Sequence, residues 1–108
     1  MSTQKYYKNG EKSTQILNHT LRVWPSIINS LMESGVYIIG VRWESVDNLA
    51  EIHAHNIPQI QAWALSRAIH PKIVPNGEIY PWRVIYTIYG VDVFTLLTVE
   101  EQERYFPV

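Results

Sequence analysis

Apolar residues in the first third of the chain recur at helical spacing. From Leu17 to Leu31 they fall three or four positions apart, which traces one face of an α-helix. Pro25 interrupts this run, and we expect a kink or a restart there because proline removes a backbone hydrogen bond and clashes with the preceding turn. Gly35 is expected to end the helix. Residues 1–12 are mostly polar and predict a loosely ordered N-terminal arm.

Two stretches after this helix are typical of β-strands. Residues 36–43 are β-branched and aromatic, and residues 49–55 alternate between apolar and polar side chains. Successive side chains of a strand point to opposite faces, so the second stretch predicts one buried and one solvent-facing side. The residues expected on the buried side are Ala50, Ile52 and Ala54. Those expected on the solvent side are Glu51, His53 and His55.

A second helix is predicted after Asn56, which can cap its first turn, and it should end before His70. Pro58 is tolerated near the start of a helix. The residues expected on the buried stripe of this helix are Ile57, Ile60, Ala64 and Ala68. Residues 70–79 contain two prolines and an Asn-Gly pair, and they predict a connection rather than a regular element.

The C-terminal third predicts a hairpin followed by a short helix. Residues 80–89 and 91–97 are strand-like and flank Gly90, which is expected to supply the positive φ of a tight turn. The side chains expected toward the core are Trp82, Val84, Tyr86 and Ile88. Those expected toward solvent are Arg83, Thr87 and Tyr89. Thr98 and Glu101 have the spacing of a capping box, which predicts a helix to about Tyr105.

The predicted order of elements is therefore helix, two strands, helix, two strands, helix. This order indicates the α+β class, with an antiparallel sheet of about four strands and helices packed on one face. A chain of 108 residues with 46% hydrophobic residues fits one domain, which we place at residues 13–108.

Composition and motifs narrow the chemistry. The chain has no cysteine, which excludes disulfides and cysteine nucleophiles, and its formal net charge of -1 disfavours nucleic acid as a partner. No Gly-rich phosphate loop or serine nucleophile elbow is present, so no cofactor and no catalytic residue is predicted. No apolar run is long enough to span a membrane or form a signal peptide, which predicts a cytoplasmic protein.

Two groups of residues are candidates for function. The first consists of Glu51, His53 and His55, which share one predicted strand face and are metal ligands by type. They support an alternative hypothesis, that the protein is a small metal-dependent enzyme. The simpler interpretation is that they are polar residues on a solvent-exposed strand face. The second is an excess of aromatic residues on predicted strands, interleaved with arginine. The interaction surface predicted from it comprises Arg42, Trp43, Arg83 and Tyr89, because Trp, Tyr and Arg are enriched at protein interfaces.

The second half of the chain resembles small uncharacterised proteins encoded by phages and prophages of Gram-positive bacteria. The resemblance is carried by a Glu-Ile-His strand at residues 51–53, Tyr80-Pro81, Gly90, Val-Asp-Val-Phe at residues 91–94, and an acidic end at residues 98–101. It implies an accessory protein in the cytoplasm of a bacterial host cell, where many such proteins bind host enzymes or defence systems.

We therefore predict a non-catalytic protein-protein interaction protein whose partner is a host protein or a second copy of the chain. Aromatic excess, balanced charge and the lack of catalytic motifs favour this hypothesis over the metal-dependent enzyme. A third hypothesis is a binder of single-stranded nucleic acid, since aromatic rings on a sheet can stack on unpaired bases.

Overall fold

The computed structural model describes residues 23–44 and 49–107. Within these ranges the chain forms five strands: β1 (Tyr37–Glu44), β2 (Leu49–His55), β3 (Lys72–Pro75), β4 (Trp82–Ile88) and β5 (Val91–Leu97). It also forms three helices: α1 over residues 23–33, α2 (Ile57–Ser66) and α3 (Val99–Tyr105). The α+β class is confirmed.

All five strands belong to one sheet of order β1-β2-β5-β4-β3. The pairs β1–β2, β3–β4 and β4–β5 are antiparallel, whereas β2 and β5 run parallel. The parallel pairing joins the two hairpins at the centre of the sheet, with Glu51 beside Asp92 and His53 beside Phe94. The sheet is therefore mostly antiparallel.

The prediction of about four strands, with residues 70–79 as a connection, is wrong in one respect. Residues Lys72–Pro75 form β3, which pairs with β4 from Lys72 opposite Ile85 to Pro75 opposite Trp82. The turn that follows is closed by backbone hydrogen bonds from Asn76 to the Pro81 carbonyl and from Gly77 to the Tyr80 carbonyl. The two prolines lie outside or at the end of this short edge strand, where they remove no bond from the centre of the sheet.

The core lies between one face of the sheet and the helices. Its sheet residues come from alternating positions, as predicted for β2 and β4, and include Ile52, Val84 and Val93, each fully buried. Helices α1 and α2 pack on this face and are joined by a hydrogen bond of 3.0 Å from the Trp63 indole to the Ser30 hydroxyl. Each large apolar side chain buried here stabilises the fold by about 1.5–3 kcal/mol. Burial also raises the pKa of the Tyr86 phenol to about 12.

Two of the predicted helix ends are confirmed, the end of α1 and the start of α3. Gly35 adopts φ 80° after α1, and the Val36 amide donates to the Leu31 carbonyl at 3.0 Å, which confirms the predicted glycine stop. The capping box is also confirmed, since the Thr98 hydroxyl accepts from the Glu101 amide and the Glu101 carboxylate accepts from the Thr98 amide.

Helix α2 departs from its prediction at both ends. Asn56 occupies the capping position, but its side chain makes no capping hydrogen bond and instead donates to the Gly35 carbonyl at 2.9 Å. Ala68, predicted on the buried stripe, lies beyond the helix with φ 55°. Trp63 takes the buried position instead, because its ring fills the space against α1.

Some predictions concern residues outside the described ranges. These are the arm at residues 1–12 and the first part of the N-terminal helix. The helix is continuous through Pro25 from residue 23 onward. In residues 23–44 and 49–107, no helix combines the length and the apolar character needed to cross a bilayer.

Candidate functional site

The face of the sheet opposite the core is the candidate site, and we call it the outer face. The pairing registers place on it Tyr37, Gly40, Arg42 and Glu44 of β1, Leu49, Glu51, His53 and His55 of β2, Lys72 and Val74 of β3, Arg83, Ile85 and Thr87 of β4, and Asp92, Phe94 and Leu96 of β5. Helices α1 and α2 contribute buried residues to the core on the other side, and Tyr105 of α3 packs against that core. None of these helices packs on the outer face.

Three apolar side chains, Ile85, Phe94 and Leu96, lie together on the β4–β5 part of the outer face, and we call them the apolar centre. Ile85 of β4 lies directly opposite Phe94 of β5, and Leu96 follows Phe94 on the same side of β5. All three side chains are partly exposed and lie apart from the buried core cluster. Polar groups surround them, including Lys72 beside Ile85 and the exposed His55. An apolar centre with a polar rim is the usual composition of a protein interface.

A second polar element of this rim joins β4 to β5. The Thr87 hydroxyl donates to the Asp92 carboxylate at 2.6 Å, and the two residues are direct cross-strand neighbours. The pair therefore lies at one end of the apolar centre, and its two polar groups already have each other as hydrogen-bond partners.

An ion pair crosses the middle of the outer face. Arg83 of β4 donates to the carboxylate of Glu51 on β2, and β5 lies between these two strands. The guanidinium carbon of Arg83 lies 3.8 Å from the centroid of the Phe94 ring on that intervening strand. The pair therefore links β2 and β4 across Phe94 and restricts how these three side chains can move.

The burial of this pair corrects one expectation. Glu51 lies on the predicted face but is only 6% exposed, whereas the Arg83 side chain is 27% exposed. The alternation of polar and apolar residues indicated the face correctly and could not show that Arg83 would cover the carboxylate. The Nε of Arg83 is buried without a hydrogen-bond partner in the described part of the chain.

His53 extends the layer around Phe94. Its ring stacks on the Phe94 ring with centroids 4.6 Å apart and an interplanar angle of 12°. The pKa of His53 lies below its ordinary value of 6.5, because burial disfavours the charged imidazole and the neighbouring His55 adds repulsion. The neutral form of the imidazole is therefore favoured, and it stacks on Phe94 as a flat aromatic ring.

The four residues predicted as the interaction surface do not form one patch. Arg42 lies on the outer face at the edge strand and pairs with Glu44 at 3.0 Å. Two strands separate Arg42 from Arg83, which is engaged with Glu51. Tyr89 lies at the tip of the β4–β5 hairpin, and Trp43 faces the other way and packs against the core.

The aromatic excess has a mostly structural explanation. All four tryptophans, Trp24, Trp43, Trp63 and Trp82, lie in the core or pack against it, and Tyr86 is buried there too. The exposed tyrosines in the described ranges are Tyr37, Tyr80 and Tyr89. The number of aromatic residues is therefore a poor measure of the aromatic surface, because the core on one side of the sheet accommodates most of the large rings.

The residues that build the apolar centre were missed, although the sequence carries a signal for two of them. In residues 91–97, Val91, Val93, Thr95 and Leu97 share one face and are buried. The same period of two assigns Phe94 and Leu96 to the outer face. Packing in the core does not account for apolar residues on that face, so they indicate a different role.

The geometry of Glu51, His53 and His55 does not favour a metal site. Among residues 23–44 and 49–107, no three His, Asp or Glu side chains come together as a metal-binding group. Glu51 is paired with Arg83, and His53 stacks on Phe94. The Phe94 ring contacts both His53 and Arg83 in the same layer, which leaves it poorly placed to stack on a nucleic-acid base.

Comparison with known proteins adds no relative. No protein-family model, curated protein or solved structure matches the chain.

Proposed function

We propose that this chain is a non-catalytic binding protein that docks to another protein through the outer face of its sheet. The observation that carries the proposal is the apolar centre formed by Ile85, Phe94 and Leu96, on a face that the described helices leave uncovered. A centre of partly exposed apolar side chains within a polar rim can bury apolar area against a partner of matching shape.

The preorganisation of this face favours tight association. Phe94 contacts Arg83 and His53, and Arg83 in turn pairs with Glu51. These contacts restrict the side chains of Phe94, Arg83 and His53 before a partner binds. Binding then loses little side-chain entropy, which is one of the main costs of association.

The charge of the chain fits the same function. With a formal net charge of -1, long-range steering toward a strongly charged partner is weak, and recognition depends on shape and apolar contact. We propose a host protein as the partner, in the cytoplasm of a bacterial cell, in line with the resemblance to phage and prophage accessory proteins.

The proposal is tested by affinity capture with a matched pair of variants. Tagged wild-type chain is incubated with a bacterial lysate, and the retained proteins are quantified by mass spectrometry. The outer-face variant carries Ile85→Ser and Leu96→Ser. The control variant carries Leu65→Ser and Ile79→Ser, which make the same change of composition at exposed sites of α2 and of the β3–β4 turn.

We expect a specific protein to be retained by the wild type and by the control variant and lost from the outer-face variant. The proposal would be contradicted if both variants retained the protein as well as the wild type does. It would also be contradicted if both variants lost it equally. Thermal melts of the three chains verify that each one is folded at the temperature of capture.

A further inference from the structure

The two edges of the sheet differ in how they are protected. Strand β3 has four residues and carries Lys72 and Pro75, and short strands, lysine and proline all hinder the addition of another strand. Strand β1 has eight residues and neither lysine nor proline. It also exposes Tyr37, Ile39 and Val41, at 65%, 53% and 51%.

Among the described residues, the edge of β1 that faces away from β2 has no neighbouring strand, and this defines the kind of partner that fits it. One side of β1 pairs with β2, and the backbone N–H and C=O groups on its other side have no strand beside them in the described part of the chain. Such a row of donors and acceptors is matched by another extended strand. The register shift at Ile39 bends the start of β1, while Gly40 to Glu44 pair regularly with β2.

We infer that β1 pairs antiparallel with β1 of a second copy of this chain. Two identical strands in antiparallel orientation present matching backbone groups to each other. The charges of β1 are compatible with this pairing. Registers centred on Gly40 or Val41 place no like charges opposite each other, whereas a parallel in-register copy would set Arg42 beside Arg42 and Glu44 beside Glu44.

The exposed apolar residues select the same registers. In both, Ile39 and Val41 meet apolar residues of the other strand: Ile39 faces Val41 when the centre is Gly40, and Val41 faces Val41 when the centre is Val41. Apolar cross-strand pairs of this kind stabilise a sheet. A net charge of only -1 adds little repulsion between two copies, and near-zero net charge promotes self-association.

This pairing has a structural consequence for the proposed function. A two-fold axis perpendicular to the sheet would join two five-stranded sheets into one of ten strands, with both outer faces on the same side. The dimer would therefore present two docking faces. The inference itself depends only on β1 and stands whether or not the outer face binds a partner.

The oligomeric state tests the inference with the protein alone. Sedimentation equilibrium is measured for the wild type, for an edge variant with Ile39→Lys and Val41→Lys, and for a control with Ile79→Lys and Val99→Lys. The control makes the same changes at exposed positions outside β1. We expect a concentration-dependent dimer for the wild type and the control, and loss of the dimer in the edge variant.

Amide hydrogen exchange of the wild type locates the interface without any substitution. Exchange is compared at two protein concentrations about a hundredfold apart. We expect slower exchange in β1 at the higher concentration and unchanged exchange in β3, the other edge. A wild type that stays monomeric, a dimer that survives the edge substitutions, or protection that rises elsewhere than in β1 would each overturn the inference.

Discussion

His53 shows how a single side chain on the outer face couples packing to protonation. Its ring stacks on Phe94, and both burial and the nearby His55 lower its pKa below 6.5. A lowered histidine pKa means that the unfolded chain takes up a proton more readily than the folded chain as the pH falls. Folding stability should therefore be unaffected by His53 well above pH 6.5 and should decrease as the pH falls below that value.

The variant His53→Gln tests this coupling. The free energy of unfolding is measured by urea denaturation at about pH 8 and about pH 5.5 for both chains. The values at the higher pH give the loss of packing alone, since His53 is neutral there in both states. We expect the variant to lose less stability than the wild type between the two pH values. An equal loss in both chains would show that His53 does not contribute.

Tyr89 adopts a conformation that its residue type disfavours. It has φ 50° beside Gly90 with φ 77°, at the tip of the hairpin between Ile88 and Val91, and its side chain is 65% exposed. Two positive φ angles in a two-residue turn favour Asn-Gly, because asparagine tolerates the left-handed region better than aromatic residues do. The prediction that Gly90 supplies the positive φ is confirmed, and Tyr89 needs one as well.

We therefore expect Tyr89→Asn to raise the free energy of unfolding by about 1 kcal/mol. The control is Tyr89→Ser, which removes the same ring without supplying asparagine's preference for the left-handed region. Thermal denaturation of the two variants measures the difference. If the two substitutions change stability equally, conformational strain at residue 89 is not the cause.

At the scale of elements, the Glu51–Arg83 pair connects β2 and β4 across β5. The two partners differ in burial, since Glu51 is 6% exposed and the Arg83 side chain is 27% exposed. Removing Arg83 leaves a carboxylate in a buried position. Removing the charge of Glu51 leaves a guanidinium that still reaches solvent and the Phe94 ring. The two deletions should therefore have unequal effects.

We expect Arg83→Leu to destabilise the fold by about 3 kcal/mol and Glu51→Gln by less. Arg42→Leu and Glu44→Gln are matched controls, because they make the same changes in an exposed pair on the same sheet face. Each control should cost less than about 1 kcal/mol. Urea denaturation of the four variants gives these values. Equal effects at the buried and the exposed pair would contradict the assigned role of the Glu51–Arg83 link.

An element can be predicted from the sequence when the contacts that form it are local, and not when they join segments far apart in the chain. The stop at Gly35, the capping box of Thr98 and the alternation in β2 are local, and the sequence predicted all three. Strand β3 has four residues and exists because it pairs with β4. The parallel contact between β2 and β5 also joins distant segments. Neither has a local signature that periodicity could detect.

The same distinction applies to the candidate site. The sequence assigned Glu51, His53 and Arg83 to one side of their strands, because that follows from the period of two. It could not show that Arg83 reaches Glu51, since this contact requires the order β2-β5-β4. The residue type of Trp43 favours a binding surface, whereas its actual place against the core depends on packing.

At the scale of the whole molecule, the described helices and the core occupy one side of the sheet and the apolar centre lies on the other. This two-sided arrangement is the basis of the proposed function, and the β1 edge offers a separate contact for a second copy. The apolar centre lies on β4 and β5, whereas the dimer contact is made along the edge of β1. A partner on the outer face and a dimer through β1 are therefore compatible in one assembly.

Side-chain footprinting of the captured complex tests the central claim most directly. Hydroxyl-radical oxidation of Ile85, Phe94 and Leu96 is compared between the free chain and the chain bound to its captured partner. Ile79, exposed in the turn between β3 and β4, serves as the internal reference. We predict that oxidation of the three outer-face residues falls on binding while that of Ile79 does not. Unchanged oxidation of all three in a stable complex would contradict the account.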